Sequence, residues 1–114
     1  QDDRRAILKL GTFTRNWEIA PMLLVPFVEN AFKHGSKQNE AIPISVQLWE
    51  SDAFTLDFKV ANSNSNSSTL LADVGGIGIN NVRQRLQLLY PDQHTLTIEN
   101  NGDTFTIHLQ LKYT

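Results

Sequence analysis

The chain has 114 residues, a length suited to one domain whose core buries roughly two-thirds of the unfolded chain's surface. Its 40% hydrophobic content is too high for a disordered chain, and a net charge of −2 argues against a basic nucleic-acid footprint. The absence of cysteine excludes a disulfide scaffold, a thiol nucleophile and a cysteine-based zinc site, and fits a reducing compartment.

Residues 1–20 are weakly patterned: Ile7, Leu8 and Leu10 suit either a helix remnant or a strand, and the imperfect alternation over residues 12–19 suggests a strand. The longest apolar run, residues 22–28, is broken by Pro26, is far short of a membrane span and has no signal peptide before it. A chain that begins at Gln1 rather than Met is expected to be a piece of a longer one. Over residues 21–34 the spacing is helical, with Leu24, Phe27, Val28, Ala31 and Phe32 in one apolar arc. Pro26 lacks an N–H and is tolerated only in a first turn, so the helix is predicted to begin near it, and Gly35 reads as its left-handed C-cap.

Two alternating segments follow, Ile44/Val46/Leu48 and Phe54/Leu56/Phe58/Val60, which predict a hairpin turning at Ser51-Asp52-Ala53. A polar run over residues 62–68 opens a long loop reaching Gly75, a length typical of lids and linkers. A second helix is predicted over residues 78–90, with Ile79, Val82, Leu86 and Leu89 as its stripe and Pro91 as its stop. Residues 95–99 and 104–111 then form a hairpin about Asn100-Asn101-Gly102-Asp103, with Phe105, Ile107, Leu109 and Leu111 on one face. This order predicts an α+β fold, a two-layer α/β sandwich with helices on one face of a mixed, mainly antiparallel sheet.

Two segments carry residues suited to binding chemistry. In Glu29-Asn30-Ala31-Phe32-Lys33-His34-Gly35, Asn30, Lys33 and His34 share the face opposite the apolar arc, with Glu29 on its shoulder. An amide oxygen beside cations suits a hydrated Mg²⁺ and phosphate, although a solvated polar face has the same pattern. In Gly75-Gly76-Ile77-Gly78-Ile79-Asn80-Asn81, glycines just before a helix allow close backbone approach and offer N–H groups to an anion, or simply permit the turn into the helix. The dinucleotide fingerprint fails here, because Asn81 stands where its third glycine belongs and a loop rather than a strand comes before.

Together these segments resemble the ATP-binding domain of sensor histidine kinases, of the Bergerat fold shared with gyrase and MutL ATPases. Residues 21–35 resemble the N box of the LytS-type kinases, and residues 76–86 their glycine-rich G2 motif and following helix; the likeness spans residues 20–111. It implies a lead-in segment over residues 1–19 and an ATP-binding catalytic domain over residues 20–114. It implies that Asn30 coordinates Mg²⁺ on ATP, with Glu29 beside it orienting water or a neighbour, and that Lys33, His34 and Arg85 serve the phosphate end. Gly76, Gly78 and Asn81 would wall the nucleotide, whereas Arg83 is read as solvent-exposed. Where many relatives carry Asp-x-Gly against adenine, this chain has Asn62-Ser63-Asn64; Asn62 can still accept the amino group's hydrogen bond, more weakly than a carboxylate.

The implied enzyme is an ATP-dependent protein-histidine kinase. Its acceptor histidine would lie on an upstream dimerisation segment, since His34, His94 and His108 do not match an acceptor site. Phosphate would pass on to a response regulator, for which the LytTR type is the candidate. The parent would be a homodimer with this domain in the cytoplasm, attached to the bacterial inner membrane, and would make no direct nucleic-acid contact. A degenerate, non-catalytic interaction module on the same fold is the alternative, and a serine kinase or anti-sigma regulator is less favoured because the N box matches the LytS type.

Overall fold

In a computed structural model of the chain, residues 6–20, 22–34, 44–63, 74–101 and 104–113 are described. Among the described residues, five strands and two helices follow in the order β1 (Ala6–Leu10), α1 (Val25–His34), β2 (Ile44–Asp52), β3 (Thr55–Ser63), α2 (Val74–Leu89), β4 (His94–Asn100) and β5 (Thr104–Lys112). One sheet takes all five strands in the order β1-β2-β3-β5-β4. β1 runs parallel to β2 and every other neighbouring pair is antiparallel. A parallel pair cannot be joined by a tight turn, and α1 supplies the crossover between β1 and β2. α1 packs on β2 and β3, and α2 packs on α1, which gives the expected α+β arrangement.

The core lies between α1, α2 and one face of the sheet. Phe27, Ala31 and Leu23 enter it from the α1 side, Val82 and Leu86 from α2, and Phe58, Val60, Phe105, Ile107, Leu109 and Leu111 from β3 and β5. The alternation in β5 is therefore expressed as read, because the strand has one face on the core.

Several expectations are corrected. Residues 12–19 form no strand: the sheet's last bond on that side is Gly11 N–H to the Leu48 carbonyl (2.9 Å), after which the chain leaves as a strap. Glycine suits the close approach there, because a Cβ at position 11 would sit 3.0 Å from the Cβ of Trp49, which would have to give way. Of the two readings open for Ile7, Leu8 and Leu10, the strand is the one found: they form β1, paired with β2. The hairpin turns at Ala53-Phe54 rather than one residue earlier, since Asp52 Oδ1 accepts the Phe54 N–H (2.8 Å) and closes an Asx-type turn. Phe54 is accordingly exposed instead of facing the core.

The second helix begins at Val74, so the backbone of Gly76 and Gly78 is helical rather than a loop before a helix start. Glycine weakens a helix by about 1 kcal/mol per position but does not forbid it, and the ladder propagates back from the packed turn at Val82 and Leu86. Leu89 is exposed, and Tyr90 takes its place against the core. The cap at Gly35 and the greater part of the lid, residues 64–73, lie outside the described residues.

Candidate functional site

Asn30 is not on a solvated helix face. It is 9% exposed, one residue before the buried Ala31, on a helix that packs against β2, β3 and α2. Asn62 is also buried, near the end of β3 opposite Phe105 of β5. Buried amides at these two places are expensive to desolvate unless partnered, and Asn62 has a partner. Asn30 lies on α1, and Asn62 on β3, a strand that α1 packs against.

Glu29 of α1 comes together with Asn81 and Arg85 of α2. They line a cleft of about 600 Å³ between the start of α1 and the middle of α2, whose apolar wall includes Val25, Pro26 and Leu88. Arg85 Nη1 reaches the Met22 carbonyl at 3.5 Å. Arg85 is thus directed at the turn before α1. Arg83 is exposed on α2, as expected. The side chains of Lys33 and His34 lie outside the described residues, and for Gly76 and Gly78 the helical backbone alone is described.

Among the described residues no three His, Asp or Glu side chains gather to hold a metal. Asn30 alone offers one neutral amide oxygen. Such a donor set fits Mg²⁺ only when most of its ligands arrive as phosphate and water oxygens, which is how Mg²⁺ is ordinarily held with nucleotides.

Sequence reasoning missed the opposite end of the molecule. Residues 11–20 cross the core there, and Glu50 anchors them: its carboxylate accepts the Thr14 N–H (2.7 Å), the Thr14 hydroxyl (3.0 Å) and the Trp17 indole N–H (2.7 Å). Partial desolvation raises the Glu50 pKa, but the Trp17 and Thr14 bonds and the charge of Arg15 outweigh it, so the group lies below its ordinary 4.5. Trp17 meets Tyr113 edge-on at 5.1 Å, and the Arg15 guanidinium lies 4.3 Å over the Trp17 ring. Tyr113 donates to the Glu18 carbonyl (2.7 Å), and Tyr90 accepts the Ala20 N–H (3.2 Å). The two phenols are 3.4 Å apart, and with the Tyr113 proton committed to Glu18 the Tyr90 hydroxyl is the donor between them. Burial, then the bond to Tyr90, pushes the Tyr113 phenol above its usual range, with Arg15 pulling the other way. One signal was legible: Glu50 falls on the inward series Ile44, Val46, Leu48, where an acid needs partners.

On the sheet face without helices, Asp57 is only 1% exposed. Its Oδ1 accepts from Gln110 (2.9 Å) and pairs with His108 Nε2 (2.8 Å), and its Oδ2 is buried with no partner among the described residues. Trp49, opposite Asp57 in register, packs its ring 5.5 Å from that of His108. His108 is therefore a partnered residue on the outward face. His94 opens β4 rather than sitting in a loop, its Nδ1 2.7 Å from the Tyr90 carbonyl.

This layout is met again in solved structures. The mycobacterial sensor histidine kinase MprB superposes with a TM-score of 0.69 at 13% identity, over 96% of this chain and 82% of that one. The fold is that of histidine kinase catalytic domains. The catalytic domain of histidine kinase ThkA, in a nucleotide-free form, matches with a TM-score of 0.61 at 13% identity, over 96% and 80% of the two chains. The Acinetobacter baumannii histidine kinase AdeS matches with 0.65 at 12% identity over 99% of this chain, which spans 56% of AdeS. No protein-family model and no curated protein sequence matches the chain. No helix among the described residues is long and apolar enough to cross a membrane.

Proposed function

We propose that the chain is the ATP-binding catalytic domain of a sensor histidine kinase of the LytS type. The observation that carries this reading is the burial of Asn30 on α1, at the position its N-box-like segment assigns to the magnesium ligand, within a fold shared with histidine kinase catalytic domains. Asn30 would hold Mg²⁺, which would neutralise the ATP phosphates. Asn62 would accept from the adenine amino group, Gly76, Gly78 and Asn81 would lie along the nucleotide, and Lys33, His34 and Arg85 would face the phosphates. Glu29 would orient water or a neighbouring group. The γ-phosphate would pass to a histidine on an upstream dimerisation segment of a homodimeric parent, and then to a response regulator. The domain would work at the cytoplasmic side of a bacterial inner membrane.

Calorimetric titration with Mg²⁺ and non-hydrolysable ATP tests the reading, beside Asn30→Ala. Binding that Asn30→Ala weakens at least tenfold, about 1.4 kcal/mol, supports it. No binding by the wild-type chain at millimolar nucleotide favours the second reading, a non-catalytic module on the same fold. That alternative is kept because Asn62 stands where a carboxylate is usual.

A further inference from the structure

We infer that α2 clamps a strained turn at the start of α1, with Tyr90 as the positioning residue, so that the beginning of α1 follows the position of α2. The turn closes with the Leu23 N–H on the Ala20 carbonyl (3.3 Å), and its third residue, Met22, has φ 62°. That position ordinarily falls to glycine or asparagine, because a side chain there crowds its own backbone. Met22 is not held there by burial, being 63% exposed at the edge of the cleft. Such a conformation persists only where the surroundings over-determine it.

The surroundings here belong to α2. The Tyr90 hydroxyl, one residue past the helix, accepts the Ala20 N–H at 3.2 Å, and the Arg85 guanidinium reaches the Met22 carbonyl at 3.5 Å. Leu23, the next residue, is buried against the same core as Leu86. Tyr90 in turn is held by Tyr113, whose proton is fixed on the strap at Glu18. The chain of donors therefore runs from Ala20 N–H through Tyr90 and Tyr113 to the Glu18 carbonyl, joining residues 18–20 ahead of α1 to the C-terminal end of α2. α2 is a rod of 16 residues, roughly 24 Å long, with Gly76 and Gly78 at its other end. A tilt imposed at those glycines reaches Tyr90 and, through it, Ala20. This last link rests on the nucleotide reading proposed above; the clamp itself does not.

Residue-resolved hydrogen exchange on the wild-type chain, Tyr90→Phe, and Tyr90→Phe with Met22→Gly tests the clamp without ligand. Tyr90→Phe keeps the ring and removes the acceptor. It is expected to speed exchange of the Leu23 and Phe27 amides about fivefold, the worth of one hydrogen bond, while β3 and β5 amides stay slow. Adding Met22→Gly is expected to restore slow exchange, because the turn no longer needs holding. Unchanged Leu23 and Phe27 exchange in Tyr90→Phe overturns the clamp, as does equal acceleration throughout the sheet or failure of Met22→Gly to rescue. With Mg²⁺ and ADP added, a change at Leu23 seen in the wild type and absent in Tyr90→Phe supports transmission through Tyr90. The same change persisting in Tyr90→Phe overturns that route. If calorimetry finds no ADP binding to the wild-type chain, the nucleotide reading falls, and the ligand-free exchange alone decides the clamp.

Discussion

Asp57 and Asn62 lie on one strand, five residues apart and on opposite faces, and each is buried for a different reason. Asp57 sits on the helix-free face between its register partners Trp49 and Gln110, and its bonds to His108 and Gln110 offset the desolvation of one oxygen only. Asp57→Asn replaces a charge-assisted arrangement with a neutral one, and is expected to lower unfolding stability by about 1–2 kcal/mol at pH 7, read by urea titration. Asn62→Asp works the other way at the proposed base contact. It is expected to tighten ADP binding about fivefold in the same calorimetric assay, since an ionised acceptor forms the stronger bond. Polar residue types were legible at both positions, but their burial was not: alternation alone assigned Asp57 to solvent. What hides it comes from β2 and β5, Trp49 at hairpin range and His108 and Gln110 about fifty residues on, beyond the reach of any local pattern.

At the scale of elements, the apolar periodicity of α1 and β5 was readable because each has one face on the core. The strap was not, because residues 11–20 spend their hydrogen bonds on side chains far along the chain: Glu50, Tyr90 and the Tyr113 hydroxyl. The strap also has a pH signature. The folded Glu50 pKa lies below 4.5, so its contribution to stability is present above that value and is lost as pH falls through the lowered one. In a Trp49→Phe background, Trp17 fluorescence is expected to change on acidification below pH 4.5. Glu50→Gln should show the released signal already at pH 7. An unchanged Trp17 signal across that range would mean that the strap stands without the carboxylate.

For the molecule as a whole, the stability rests on few large side chains, with Phe27 of α1 fully buried and its ring 6.0 Å from that of Phe58 on β3. Phe27→Ala is expected to cost about 3–5 kcal/mol, a large part of the roughly 5–15 kcal/mol that holds a domain of this size, and to broaden or abolish the cooperative thermal transition. The sheet order adds a temporal consequence. β5, the last strand in the chain, lies inside the sheet with β3 on one side and β4 on the other. During synthesis, β3 and β4 must therefore wait on the ribosome with their inner edges unpaired until residue 112 has emerged. A chain stalled or terminated before β5 would present two open edges rather than a slightly shortened domain, and would be material for chaperones and proteases.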